Sequence, residues 1–223
     1  MKNRVLKLAT GLLTVGALGV ATMIGSQAVG VVETTAVVMK QNDASSLTGT
    51  EDHKEVTNYK DLKSFERSLG SDKRVAYIYS KGYQGAVLLV AKAGDVYTRD
   101  TEDSDDKAKN YCSDAMFYTE VGGVVRCIGR LNPEGSGGDI SITDNGIIFA
   151  TGKRDGLESY LVSKDGMDVV HKDYLEYSSG WGYYNESNDQ SKRVEFTNDQ
   201  TLIDKIQNLR DKAKIVEFRS PEK

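Results

Sequence analysis

From residue 74 onward the chain is a series of short apolar runs cut by glycine-bearing turns, and a polypeptide interrupted that often has no room for long helices. Runs at 75–79, 86–91, 115–119, 124–129, 140–143, 147–151, 159–162 and 169–171 alternate with Lys81-Gly82-Tyr83-Gln84-Gly85, Gly122-Gly123, Gly135-Ser136-Gly137-Gly138, Asp144-Asn145-Gly146 and Lys164-Asp165-Gly166. Strands of this length joined by turns of this kind form antiparallel hairpins. Residues 86–91 are apolar without a break and too few for a helix, which predicts a strand buried on both faces. A last hairpin is expected over 181–196. The 22 Gly and 12 Tyr fit such a chain.

Two helices bracket the strands. Tyr59, Leu62, Phe65 and Leu69 recur at helical spacing, with Thr57 or Asn58 as the N-cap and Gly70 as the stop. Near the other end, Thr197-Asn198-Asp199-Gln200 reads as a capping box, and Leu202, Ile203, Ile206 and Leu209 define an apolar helix face. Asp204 stands early and Arg210, Lys212 and Lys214 late, as the helix dipole favours. A short closing strand is expected over 215–218. The pattern predicts an α+β fold: an antiparallel β-meander, built as part of a propeller or as a twisted open sheet, with one helix before it and one near the C-terminus.

The N-terminal segment carries an address. Lys2, Arg4 and Lys7 precede an uncharged stretch from Leu8 to Gly25, and Ser26-Gln27-Ala28 supplies small residues at its exit. That order predicts a secretory signal over 1–28, with an uncleaved anchor as the alternative. Either alternative puts the remainder outside the cytoplasm, secreted or tethered by the signal segment. Residues 29–55 are polar and without periodicity, which predicts a flexible tether; 56–223 form a single β-rich domain. The formal net charge is -4, and basic residues alternate with acidic ones, as in Lys60-Asp61-Leu62-Lys63, so nucleic acid is not expected as a partner.

The succession from Tyr59 to Leu209 resembles a group of secreted proteins of Gram-positive anaerobes: a helix, a buried strand, a meander with a Gly-Ser-Gly-Gly loop, a Tyr-rich hairpin and a capped helix. In that group an acidic loop similar to the Asp-x-Asp-Gly-Asp-Gly turn of FG-GAP and VCBS repeats leads into the buried strand. Tyr79, Lys81, Tyr83 and Val87 stand here where the group has acidic residues, and only Gly82 and the apolar strand remain. The resemblance therefore implies a loop without its metal, whose tyrosines stack instead.

Few residues suggest chemistry. The run Asp100-Thr101-Glu102-Asp103-Ser104-Asp105-Asp106 offers carboxylates to Ca²⁺, with Asp103, Asp105 and Asp106 as weak ligands; its plainer reading is a solvated loop, and no cofactor is expected. Cys112 and Cys127 are an even pair in an exported chain, which points to a disulfide. If the hairpin turns through residues 120–123, Cys127 faces Met116 with Cys112 four positions off. A bond needing α-carbons within about 7 Å then requires residues 110–113 to fold back. His53 falls in the tether, and His171 ends a strand with an edge or surface role. There is no GxSxG elbow and no metal-ligand spacing, although a carboxylate pair of glycosidase type leaves no sequence mark.

Tyr174, Tyr177, Trp181, Tyr183 and Tyr184 cluster beside Ser178-Ser179-Gly180. Exposed, their rings offer stacking surfaces to a sugar or peptide; packed across strands, they are ordinary sheet aromatics. The expectation is a non-catalytic secreted or cell-surface interaction module for an extracellular protein or glycan. Carbohydrate binding through these aromatics is the alternative, and a small extracytoplasmic hydrolase a third.

Overall fold

The computed structural model describes residues 47–48, 55–99, 109–132, 138–150, 156–176, 181–183, 194–195 and 200–223. All lie in the second of two compact units, which begins at Asn42. The signal segment, most of the tether, His53, the acidic run with Asp103, Asp105 and Asp106, and the capping residues 197–199 lie outside the described residues. Among the described residues no helix is long and apolar enough to cross a membrane.

The fold is α+β, with every strand pair antiparallel. A five-stranded sheet contains β1 (Leu47–Thr48), β2 (Lys73–Ile78), β3 (Val87–Lys92), β6 (Ala115–Val121) and β7 (Val124–Leu131), in the order β1-β7-β6-β3-β2. Between β3 and β6 the chain makes a separate hairpin, β4 (Tyr97–Arg99) with β5 (Lys109–Tyr111), whose connection carries the acidic run. A seven-stranded sheet follows as an uninterrupted meander: β8 (Ile140–Ile142), β9 (Ile148–Ala150), β10 (Gly156–Val162), β11 (Val169–Glu176), β12 (Trp181–Tyr183) and β13 (Val194–Glu195). Its seventh strand, β14 (Lys214–Ile215), returns to pair with β8.

Side-chain alternation sets the layers. On β3, Val87, Leu89 and Ala91 enter a core shared with Phe117, Ile148, Tyr160 and Val162, which fills the space between the two sheets. The intervening Leu88 and Val90 face the opposite way and pack with Leu62 and Phe65 of α1 (Leu62–Ser68). The strand is therefore buried on both faces, as its unbroken apolar run predicts. On the far side of the seven-stranded sheet, Phe149, Leu157, Leu161 and Leu175 receive Ile206, Leu202 and Leu209 of α2 (Gln200–Asp211). Two sheets thus enclose the main core, and one helix covers the outer face of each.

Asp61, not Thr57 or Asn58, caps α1: its Oδ1 accepts from the Ser64 amide at 2.7 Å. Thr57 is occupied elsewhere, donating through Oγ1 to the Val125 carbonyl at 2.9 Å. Residues 55–59 run beside β7, where the amides of Cys127 and Val125 donate to the carbonyls of Glu55 and Tyr59. Leu47–Thr48, within the stretch expected to be tether, pairs further along the same strand.

The expected disulfide is not seen: Cys112 and Cys127 are both free and buried. Gly122 and Gly123 take φ of +64° and +71°, which makes a two-residue hairpin turn that puts Val121 opposite Val124 and Cys127 opposite Tyr118. Cys112 then lies six residues before that position. It also packs between the sheets, whereas Cys127 packs under α1, so the thiols occupy opposite faces of the five-stranded sheet.

The segment after α2 joins the sheets. β14 pairs with β8, then the Phe218 amide donates to Asn110, and Arg219 exchanges both backbone hydrogen bonds with Val75 on β2. Phe218, 1% exposed, is thereby driven into the main core.

Candidate functional site

The aromatic cluster is not a single exposed surface. Tyr174 is 4% exposed, with its ring edge-on to His171 at 5.3 Å between centroids. It faces inward because the ladder sets it opposite Glu158 on β10, and Tyr183 stands opposite it on β12. The side chains of Trp181 and Tyr183, and all of Tyr177 and Tyr184, lie outside the described residues. His171 is likewise buried, not at an edge, because β11 runs between β10 and β12. Its Nε2 lies 3.2 Å from Glu158 Oε2, the same oxygen that accepts from the Tyr160 hydroxyl. On the other face of these strands Ser159 Oγ donates to Asp173 Oδ2 at 3.0 Å and Lys172 reaches the same atom. Buried carboxylates satisfied in this way fix the register of β10 on β11.

A surface cleft of about 590 Å³ lies over the five-stranded sheet, lined by Asp61, Lys63, Tyr77, Tyr83 and Glu120. Three elements bring them together: the start of α1, strand β2 with the loop that follows it, and the end of β6. Leu62, Ala86 and the bare backbone of Gly85 complete its apolar lining. A volume of this size is in the range of small-molecule sites.

The loop holding Tyr83 is pinned at several points. The Lys81 amide donates to Gly146 at 2.9 Å, and the Val162 amide to Ser80 Oγ at 2.8 Å. The Tyr83 hydroxyl donates to the Glu120 carbonyl at 2.7 Å. Its ring lies against two glycines; a Cβ would come within 2.7 Å of it at Gly85 and 2.5 Å at Gly166. Burial, and next the Glu120 charge, push the Tyr83 phenol up, so it stays a neutral donor. The loop tyrosines do not stack on each other: Tyr79 is 71% exposed, and Tyr83 packs on backbone.

Asp61 is equally fixed. Both its oxygens accept from Ser64, one from the amide and one from the hydroxyl at 2.8 Å, and these bonds hold its carboxyl below the usual carboxylate range. By contrast the side chains of Glu120 and Lys63 make no hydrogen bond or ion pair among the described residues. Tyr77 presents a third kind of group, a phenol whose oxygen is buried close to the Glu66 carboxylate. Burial, and next Glu66, push that phenol well up from its ordinary value.

Sequence reasoning missed this cleft, since its residues come from separate parts of the chain. The available signals were Asp61 three positions before Ser64, a capping spacing, and Tyr83 between Gly82 and Gly85, where an aromatic ring can lie flat on backbone. No family model, curated protein or solved structure matches the chain.

Proposed function

We propose that this chain is an exported, non-catalytic interaction module that holds its partner in the cleft between α1 and the loop carrying Tyr83. The observation that carries this reading is the contrast within the cleft. Tyr83 and Asp61 are locked by internal hydrogen bonds, while Glu120 and Lys63 keep their charged groups uncommitted. A rigid lining loses little entropy on binding, and free polar groups supply orientation. Export rests on the basic, apolar and small-residue order of residues 1–28.

The test is retention of the purified full chain on intact cells and isolated walls of the producing organism, with Glu120→Lys and Lys63→Glu as variants. Both positions are at the surface, so the variants fold. Retention lost in the variants supports the reading; retention equal to wild type, or none at all, overturns it. N-terminal sequencing of chain recovered from culture medium tests export. A chain found intact in the cell interior overturns that part.

A further inference from the structure

We infer that the cleft takes a neutral oligosaccharide, a ligand class that follows from the pairing of its phenol rings with carboxylate acceptors and that rests on the reading of the cleft as the contact site. A sugar ring has an apolar C–H face and a rim of hydroxyl donors. Tyr83 offers an aromatic surface that cannot rotate away, because its hydroxyl is bonded to the Glu120 carbonyl and its ring is seated on Gly85 and Gly166. Tyr77 adds a second ring to the lining. Such amphipathic rings bury the apolar face of a ligand while tolerating water at its rim.

The polar groups match the other half of a sugar. Ionised carboxylates only accept hydrogen bonds, so Glu120 and the remaining lone pairs of Asp61 call for a ligand rich in donors. Lys63 supplies donors for hydroxyl or ring oxygens. With two carboxylates against one ammonium, and a chain of formal net charge -4, an anionic ligand meets repulsion. A basic peptide also satisfies two carboxylates, but it meets Lys63 in the same space. A neutral polyhydroxylated ligand conflicts with none of these groups. The volume of about 590 Å³ accommodates more than one sugar unit, which makes a chain of sugars the occupant.

The experiment is isothermal titration of the full chain with tetrasaccharides of β-1,4-linked glucose, mannose, xylose and N-acetylglucosamine, and with a tetralysine peptide. The variants are Glu120→Ala, Tyr83→Ala and, because the second removes packing, Asp61→Asn, which keeps a capping oxygen; thermal melts report their folding. The expected result is binding of at least one tetrasaccharide, weakened tenfold or more by Glu120→Ala and by a folded Tyr83→Ala or Asp61→Asn. Absence of binding by every sugar, sugar binding indifferent to Glu120→Ala and Asp61→Asn, or binding of tetralysine alone overturns the inference. Retention on cells that depends on Glu120 and Lys63 without any sugar heat leaves the module standing and removes only its ligand class. Retention that ignores those residues removes the module itself.

Discussion

Arg219 Nη1 donates to Glu66 Oε1 at 2.5 Å, which joins the segment after α2 to a helix 153 residues earlier. The same oxygen accepts the Glu222 amide at 2.9 Å, and Glu66 is only 2% exposed. A carboxylate so placed depends on its partners, because an ion left alone in a buried site has lost its water without compensation. Arg219→Ala is expected to lower the unfolding free energy by about 2 kcal/mol. The figure falls below the roughly 3–5 kcal/mol of a fully buried pair because the Arg219 side chain is itself 44% exposed. Urea denaturation at pH 7 measures it, and an unchanged midpoint contradicts the assignment.

That pair also sets a pH dependence. Burial pushes the Glu66 carboxyl up, but Arg219, the Glu222 amide and Tyr77 together outweigh it and hold the group below its ordinary value. A folded-state value below the unfolded one stabilises the protein above the unfolded carboxylate range, and the contribution is lost as pH falls through the folded value. The stability gap between wild type and Arg219→Ala is therefore full at pH 7 and narrows as acid protonates Glu66. Parallel urea titrations at pH 7 and in the acid range test this; a gap that widens in acid contradicts it.

Both thiols are sealed. Burial first of all pushes Cys112 up to about 11, and it also raises Cys127, so neither is a thiolate near neutrality. An aromatic disulfide reagent at pH 8 is expected to titrate no thiol in the native chain and both after denaturation without reductant. Failure to find two thiols in the denatured chain means that a bridge has formed.

Two glycines with the same backbone hand respond differently to alanine. Gly146 has φ of +81°, and a Cβ there falls 2.4 Å from the Lys81 amide nitrogen. Gly146→Ala must both strain the backbone and break the turn-to-turn contact that holds the Tyr83 loop, for a loss of about 3 kcal/mol. Gly122, with φ of +64°, has nothing within 4 Å of such a Cβ. Gly122→Ala costs about 1 kcal/mol, the backbone part alone. Equal midpoints in chemical denaturation contradict this account.

Glu158 gathers the hydroxyl of Tyr160 and Nε2 of His171 on one buried oxygen. Glu158→Leu removes the shared acceptor and is expected to lower stability by about 2 kcal/mol. Glu158→Gln keeps an acceptor oxygen and loses less. The two variants are separated by their denaturation midpoints, and a leucine variant as stable as wild type contradicts the role of the cluster.

Local features of the fold were legible because they are written in consecutive residues. The apolar alternation of β3, the Gly122-Gly123 turn and the apolar face of α2 each specify an element without reference to the rest of the chain. Their partners were not legible. Nothing in the neighbourhood of His171 tells that β11 is an inner strand, so a histidine at an apparent strand end turned out to be buried against Glu158. Tyr174 followed the same course, since only the register opposite Glu158 decides which way its ring points. The two cysteines were separated because Cys127 faces α1 from β7 while Cys112, in the link between β5 and β6, turns into the core between the sheets. The cleft assembles Asp61, Tyr77, Tyr83 and Glu120 from three elements, and a site made by folding leaves no run of residues to read.

The hydrogen bonds between Val75 and Arg219 give the five-stranded sheet a companion along β2 that is among the last described parts of the chain to be made. During synthesis β2 therefore waits with one margin unpaired while both sheets and α2 are still being produced. That margin of β2 is closed only once residue 219 has been made, after every named strand of both sheets.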